Sequence, residues 1–205
     1  MLTTSVRRED IIQEQILQAA QQLFQKHGFQ KVTMDDVAKA VGKGRSSIYY
    51  YYKNKDEIFD AVVNVEIKDI LTELSKAVNE QSNTEEKIRA FCSTKIKVAK
   101  KKKGFFTAME AGMNADEISL YSEKKSNISK RIMKEEGALL QQILMDGVKS
   151  KEFPAISSKD LEMMVFVLLC SLHGLKREMV FEKNSGRIEA AVNMLTKMAM
   201  QGIEK

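Results

Sequence analysis

The run from Thr33 to Lys55, TMDDVAKAVGKGRSSIYYYYKNK, constrains the fold more than any other part of the sequence. Its first residue precedes Asp36 at the spacing of a capping box, in which two side chains satisfy unpaired backbone N–H groups at a helix start. Gly42 and Gly44 then interrupt a short amphipathic segment. A glycine-containing break between two short helices is typical of a helix-turn-helix. The run therefore predicts a DNA-binding unit.

A second short helix is predicted from about Arg45 to Tyr52, with Ile48 and Tyr52 on its inward side. Tyrosine hydroxyls and lysine ammonium groups suit phosphate contacts, while Arg45 at the helix start can reach base edges. The residues predicted to contact DNA are Thr33, Lys43, Arg45, Ser46, Ser47, Tyr49, Tyr50, Tyr51 and Lys55. Four consecutive tyrosines also suit a β-strand. The helix is favoured because the flanks carry helix caps and the sequence offers no strand-like neighbour.

The composition favours a folded, all-α protein. Charged residues make up 30% of the 205 residues and hydrophobic residues 43%, with a single proline and ten glycines. Apolar residues at helical spacing predict further helices over residues 9–27, 55–79, 82–104, 117–149, 161–180 and 187–203. With the apolar stretch that follows Gly104, we expect about nine helices in total. Residues 1–8 are expected to form an arm, in which Arg7 and Arg8 lie near a phosphate backbone or in solvent.

Positive charge is concentrated at the N-terminal end of the chain. Residues 1–55 contain nine Lys or Arg and five Asp or Glu, so they carry +4 of the formal net charge of +5. Such an asymmetry indicates a polyanionic partner for this end, although a basic solvated face would give the same count. We therefore expect a helix-turn-helix DNA-binding domain over residues 1–55 and a larger helical domain over residues 56–205.

The sequence contains no feature that predicts a membrane segment or a disulfide. Its first ten residues are polar, and no run approaches the roughly 20 apolar residues of a membrane span. A cytoplasmic protein with no membrane partner is therefore expected. Cys92 and Cys170 lie far apart within apolar helical patterns, which favours buried free thiols over a disulfide or a metal site.

Enzymatic motifs are absent from the sequence. It has no Gly-x-x-x-x-Gly-Lys loop and no cysteines or histidines at metal-ligand spacing, and its two histidines are His27 and His173. The prediction is therefore a protein without catalytic residues, metal or cofactor.

In its N-terminal quarter, from about Ile11 to Val63, the chain resembles the TetR family of bacterial transcription regulators. The ordered motifs that carry the resemblance are Gly28-Phe29, Thr33, Val37-Ala38, Gly42, Ile48-Tyr49, Tyr51-Tyr52 and Lys55. One departure is Lys43-Gly44, where the family commonly has a Val-Ser pair whose serine caps the recognition helix. Glycine is still a fair N-cap, so the docking geometry is retained.

The apolar pattern near the C-terminus indicates dimerisation. Residues 163–170 are apolar without a break, which is too many faces for a helix that covers only its own core, although burial within one chain stays an alternative. The TetR resemblance also implies a four-helix interface built from two C-terminal helices per subunit. The predicted interface residues are Leu161, Val165, Leu168, Leu172, Ala191, Leu195 and Met198.

The resemblance further implies a palindromic double-stranded operator and a small-molecule effector that binds residues 56–205. Methionine and phenylalanine side chains that repack easily suit an adaptable apolar pocket. The candidate pocket residues are Phe91, Phe105, Phe106, Met109, Met113, Tyr121, Met133, Phe166 and His173.

Two functions follow from these patterns. The first is a sequence-specific, DNA-binding transcriptional regulator, in the form of a repressor released by a small apolar or amphipathic ligand. The second is a helical small-molecule-binding protein or enzyme whose N-terminal unit is only structural.

Overall fold

A computed structural model of the chain describes residues 2–110, 113–178 and 185–203. Side chains are described from residue 9 onward within these ranges, except at positions 120, 178, 185, 186 and 203. The described residues form eight α-helices and no β-strand, which confirms the predicted all-α class. The helices are α1 (Leu2–His27), α2 (Met34–Val41), α3 (Arg45–Tyr51), α4 (Lys55–Asn79), α5 (Thr84–Met109), α6 (Ala115–Lys149), α7 (Ser158–Glu178) and α8 (Ser185–Ile203).

The chain divides into two compact units. Residues 1–68 and 102–128 make up the N-terminal unit, and residues 69–101 and 129–205 make up the C-terminal unit. The predicted domains, 1–55 and 56–205, are each continuous in sequence, whereas each unit combines two separate segments. The predicted domain boundary stays a prediction.

An aromatic cluster lies at the centre of the N-terminal unit. The ring centroid of Phe29 lies 5.4 Å from that of Phe24 and 4.8 Å from that of Phe59, and Tyr121 packs against Phe59 at 6.2 Å. Gly28 ends α1 with a φ of 81°, a left-handed conformation that costs glycine little. The cluster thereby joins the end of α1 to the first turns of α4 and to α6.

The C-terminal unit has its own apolar core. Its fully buried members include Leu74, Ile88, Phe91, Leu140, Leu144 and Leu172. Gly147 in α6 is required by this packing, because a Cβ there would overlap the Phe153 ring and the Thr84 hydroxyl. The loop that contains Phe153 can therefore fold back against α6 and α5.

Two predicted helix boundaries are wrong. Gly104 does not end α5, which continues to Met109, so the described residues form eight helices where about nine were predicted. A glycine costs a helix about 1 kcal/mol relative to alanine, and the burial of Phe105 and Met109 outweighs that cost. Residues 2–8 are not an arm, because α1 begins at Leu2. The side chains of Arg7 and Arg8 lie outside the described ones.

Within the described ranges, none of the helices is long and apolar enough to cross a membrane.

Candidate nucleic-acid interface

The start of α2 carries the predicted capping box. The Thr33 hydroxyl accepts a hydrogen bond from the Asp36 backbone N–H at 3.2 Å, and the Thr33 N–H donates to the Asp36 carboxylate at 2.9 Å. The Thr33 hydroxyl donates to the Asp36 carboxylate at 2.6 Å, and this bond, together with that from the Thr33 N–H, holds the pKa of Asp36 below its ordinary value. Gly42 follows the helix with φ 67° and ψ 33°, the left-handed conformation expected at a helix-turn-helix break. The first helix of the motif therefore has defined ends.

The α3 helix has a buried and an exposed side, and Ile48 and Tyr50 lie on the predicted sides. Ile48 is fully buried, whereas Tyr50 is 72% exposed and Tyr49 40% exposed. Tyr51 ends α3 and Tyr52 is its C-cap, so the β-strand alternative is wrong. Of the predicted DNA contacts, those exposed are Thr33, Lys43, Arg45, Ser46, Tyr49 and Tyr50, and those half-buried are Ser47, Tyr51 and Lys55.

Arg45 is held by groups from two helices. Its Nε lies 3.1 Å from Oδ1 of Asp35 in α2, and its Nη2 lies 3.4 Å from the Tyr49 hydroxyl. The guanidinium also lies over the Tyr49 ring, 5.5 Å from its centroid. The hydrogen bond to Tyr49 and the charge of Asp35 together raise the pKa of Arg45. None of these contacts of Arg45 with Asp35 and Tyr49 was predicted from the sequence.

Lys55 is engaged within the protein. Its Nζ donates to the backbone carbonyls of Phe29 at 2.8 Å and Gln30 at 3.1 Å, and it lies 4.5 Å from the centre of the Phe29 ring. Burial lowers the pKa of this ammonium group. The role as a phosphate contact stays a prediction that rests on one N–H group, because the other two already join the start of α4 to the loop after α1.

A cleft of about 500 Å³ lies beside this joint. Its lining residues, all in the N-terminal unit, are Phe29, Gln30, Lys55, Asp56, Met113, Glu117, Tyr121, Glu123, Lys124 and Asn127. The Tyr121 hydroxyl is buried without a hydrogen-bond partner among the described residues, and burial raises its pKa to about 12. The sequence did not indicate this cleft, since its charged residues come from segments distant along the chain.

The nine predicted pocket residues are divided between the two units. Five belong to the N-terminal unit, namely Phe105, Phe106, Met109, Met113 and Tyr121, and of these Met113 and Tyr121 line the cleft. The other four, Phe91, Met133, Phe166 and His173, belong to the C-terminal unit. Phe91 is fully buried there, burial lowers the pKa of His173, and Phe166 is exposed. A single pocket formed by all nine stays a prediction.

Three of the seven predicted dimer-interface residues face the core of their own chain. Leu161, Leu168 and Leu172 are buried in the core of their own chain, so their side chains are not available to a partner. Val165, Ala191 and Leu195 are half-buried and Met198 is exposed. The larger exposed apolar side chains of these helices, which we call the outer face of α7 and α8, are those of Met163, Phe166, Val167, Cys170, Met194 and Met198.

The two cysteines differ in exposure. Cys92 is buried, and burial raises its pKa to about 12, so its thiol is protonated at neutral pH. Cys170 is exposed, which corrects the prediction that both are buried. Neither forms a disulfide, and the described residues contain no cluster of His, Cys, Asp and Glu suited to a metal ion.

Residues 16–62 match the family described as bacterial regulatory proteins, tetR family. Among curated proteins, the uncharacterized HTH-type transcriptional regulator YhgD of Bacillus subtilis is 36% identical over 63 residues, which is 31% of this chain and 33% of YhgD. The fatty acid metabolism regulator protein of the same organism is 22% identical over 143 residues, covering 67% of this chain and 69% of that protein. The chain thus spans about a third of the length of YhgD.

Solved structures share the fold over nearly the whole chain. The transcriptional regulator FadR from Bacillus subtilis, in complex with stearoyl-CoA, has a TM-score of 0.61 at 18% identity and covers 93% of this chain and 98% of its own. A TetR/AcrR family regulator from Thermobifida fusca has a TM-score of 0.62 at 20% identity, covering 94% and 98%. At these identities the likeness establishes the arrangement of helices and leaves ligands open.

Proposed function

Through residues 16–62 the chain belongs to the tetR family of bacterial regulatory proteins, and we propose that it is a sequence-specific, DNA-binding transcriptional regulator. The observation that carries this proposal is the exposed side of α3. Tyr50 is 72% exposed and Arg45 has a side chain 64% exposed, on a helix whose opposite side is anchored by buried Ile48. Such a helix, presented after a glycine turn, fits the major groove. The proposal assigns no catalytic residue, and a regulator of this kind acts in the cytoplasm.

We assign two kinds of DNA contact to this surface. Arg45 is the first residue of α3 and Tyr50 its sixth, both are exposed, and we assign contacts with base edges to both. Lys43, Ser46 and Tyr49 flank them and supply donors for phosphate oxygens, which fix the position of the protein without reading sequence. Thr33 is exposed, but its hydroxyl also donates to the Asp36 carboxylate at 2.6 Å, so any phosphate contact competes with the cap.

A homodimer would bring two such surfaces to one duplex. The outer face of α7 and α8 supports this assembly, because Met163, Phe166 and Met198 are each more than half exposed in a single chain. Exposed apolar side chains grouped on one face typically mark an interaction site. Two recognition helices must lie about 34 to 36 Å apart to enter successive major grooves of B-DNA, so the operator should be palindromic.

We also propose that a small apolar or amphipathic effector releases the protein from DNA, so that it acts as a repressor. Two findings support the class of effector. A relative that aligns over 67% of this chain is a fatty acid metabolism regulator, and the FadR structure of the same fold contains stearoyl-CoA. The methionine and phenylalanine residues predicted for the pocket have the flexible, apolar character that such ligands require.

Selection of duplexes from a random library with the purified protein tests the DNA-binding proposal. We expect a two-fold symmetric site with half-sites centred about 10 base pairs, or a multiple of one helical turn, apart. The Tyr50→Ala variant should lose about 1 to 3 kcal/mol of discrimination at the base pair it contacts. Enrichment of no common sequence would refute a sequence-specific regulator.

The effector proposal is tested with a panel of fatty acids and acyl-CoA thioesters of increasing chain length. A compound that raises the melting temperature should weaken binding to the selected duplex by roughly 5- to 150-fold, the range of typical allosteric coupling. The duplex must weaken binding of that compound by the same factor, because coupling free energies are reciprocal. Equal ligand affinity with and without the duplex would exclude induction by that compound.

A further inference from the structure

We propose that Asp35 is a specificity-determining residue that orients Arg45 toward a guanine in each half-site. This inference rests on the proposed DNA-binding function and extends it to a residue outside the recognition helix. Asp35 lies in the first turn of α2, and its Oδ1 is 3.1 Å from Nε of Arg45, the first residue of α3. The ion pair therefore connects the two helices of the motif on its exposed side.

The contacts of Arg45 fix the plane of its guanidinium. Nε lies 3.1 Å from Oδ1 of Asp35 in an ion pair without a directed hydrogen bond, Nη2 lies 3.4 Å from the Tyr49 hydroxyl, and the Tyr49 ring lies under the group at 5.5 Å. An unconstrained arginine side chain loses rotamer freedom worth about 2 kcal/mol when a target orders it. Because Asp35 and Tyr49 already order the side chain, less of that freedom is lost on binding DNA.

The geometry also selects which edge of the guanidinium meets the base. Because Nε lies beside Asp35 of α2, the two Nη groups are the donors left for a base. Two parallel N–H donors match O6 and N7 of guanine, the commonest specific contact of arginine in the major groove. The weak hydrogen bond to Tyr49, at 3.4 Å, can be exchanged for one to the base.

The charge of Asp35 also affects contacts with the phosphate backbone, which competes with the base edges for Arg45. An arginine at a helix start is attracted to phosphate oxygens, and such contacts carry no sequence information. A carboxylate beside the guanidinium repels phosphates and lowers affinity for every sequence alike. The Thr33–Asp36 capping box keeps this carboxylate in place, since it fixes the backbone on both sides of Asp35.

The test compares Asp35→Asn with the unaltered chain on the duplex selected by that chain and on single-base-pair variants of the duplex. Asp35→Asn should lower discrimination at one guanine per half-site by about threefold to tenfold, part of the roughly 5- to 150-fold that a bidentate contact provides. It should at the same time strengthen binding to a scrambled duplex, because one negative charge is removed. Asp60→Asn, at an exposed position of α4, removes the same charge and should leave discrimination unchanged.

A double-mutant cycle separates positioning from a structural effect. In an Arg45→Ala background, Asp35→Asn should cause no further loss of discrimination, since its effect passes through Arg45. Unchanged discrimination in the single Asp35→Asn variant would overturn the inference while leaving the proposed function intact. If the unaltered chain selects no sequence at all, the proposed function itself fails.

Discussion

At the scale of single residues, the two units contain buried ion pairs that join helices. In the C-terminal unit Lys95 of α5 pairs with Glu136 of α6, with side chains only 9% and 2% exposed. In the N-terminal unit Glu66 of α4 accepts from Gln21 of α1 and lies 2.6 Å from Nζ of Lys102. Buried charges are costly to remove from water, so each depends on its partner for compensation.

The Lys95–Glu136 pair provides a prediction about stability. Lys95→Met leaves the Glu136 carboxylate buried without its cation, and should lower the free energy of unfolding by about 3 to 5 kcal/mol. Lys101→Met removes the same type of side chain from an exposed pair with Glu73 and should cost at most about 1 kcal/mol. Urea denaturation at a fixed protein concentration measures both.

A second variant checks the reason for that loss. If an uncompensated charge is the cause, adding Glu136→Leu to Lys95→Met should restore much of the stability. Similar losses from Lys95→Met and Lys101→Met would contradict the account of the buried pair.

Local sequence signals predicted individual residues well where the interaction partners are close in the chain. The Thr33–Asp36 capping box and the burial of Ile48 depend on spacings of three or four residues, which a helical pattern specifies. The Asp35–Arg45 pair and the Lys55–Phe29 contact could not be predicted in this way. They depend on where the turns bring separate segments together.

At the scale of helices, glycine stop signals were reliable except where burial opposed them, whereas the predicted start of α1 was wrong. The left-handed glycines Gly28 and Gly42 do end α1 and α2. Gly104 carries no positive φ and lies inside α5, so glycine alone did not predict a helix end. The difference is energetic, since a glycine within a helix costs about 1 kcal/mol and two buried apolar side chains beyond it contribute more.

The apolar run in α7 illustrates a second limit of sequence patterns. An uninterrupted run predicted that both sides of the helix are used, and α7 does carry both a buried and an exposed apolar side. The run did not indicate which side of α7 faces the core of its own chain. Leu168 and Leu172 face inward, whereas Phe166 and Val167 face outward. A Leu168→Glu substitution would therefore disrupt the core of the C-terminal unit itself, and would not test whether the chain dimerises.

At the scale of the whole molecule, we propose that the N-terminal unit contacts DNA and that the C-terminal unit dimerises. The positive charge of residues 1–55 and the exposed side of α3 support the first assignment. The outer face of α7 and α8 supports the second. We propose that two copies of the α2–α3 motif, joined through this face, read two half-sites of one operator.

The most direct test of this claim is the fluorescence anisotropy of the selected duplex, compared with the same duplex after one half-site is scrambled. The unaltered chain should bind the intact duplex at least about tenfold more tightly, since a dimer engages both half-sites at once. Phe166→Glu should abolish that preference by separating the subunits, while Met145→Glu, at an exposed position of α6, should retain it. Equal affinity of the unaltered chain for the two duplexes, or a full preference retained by Phe166→Glu, would contradict the account.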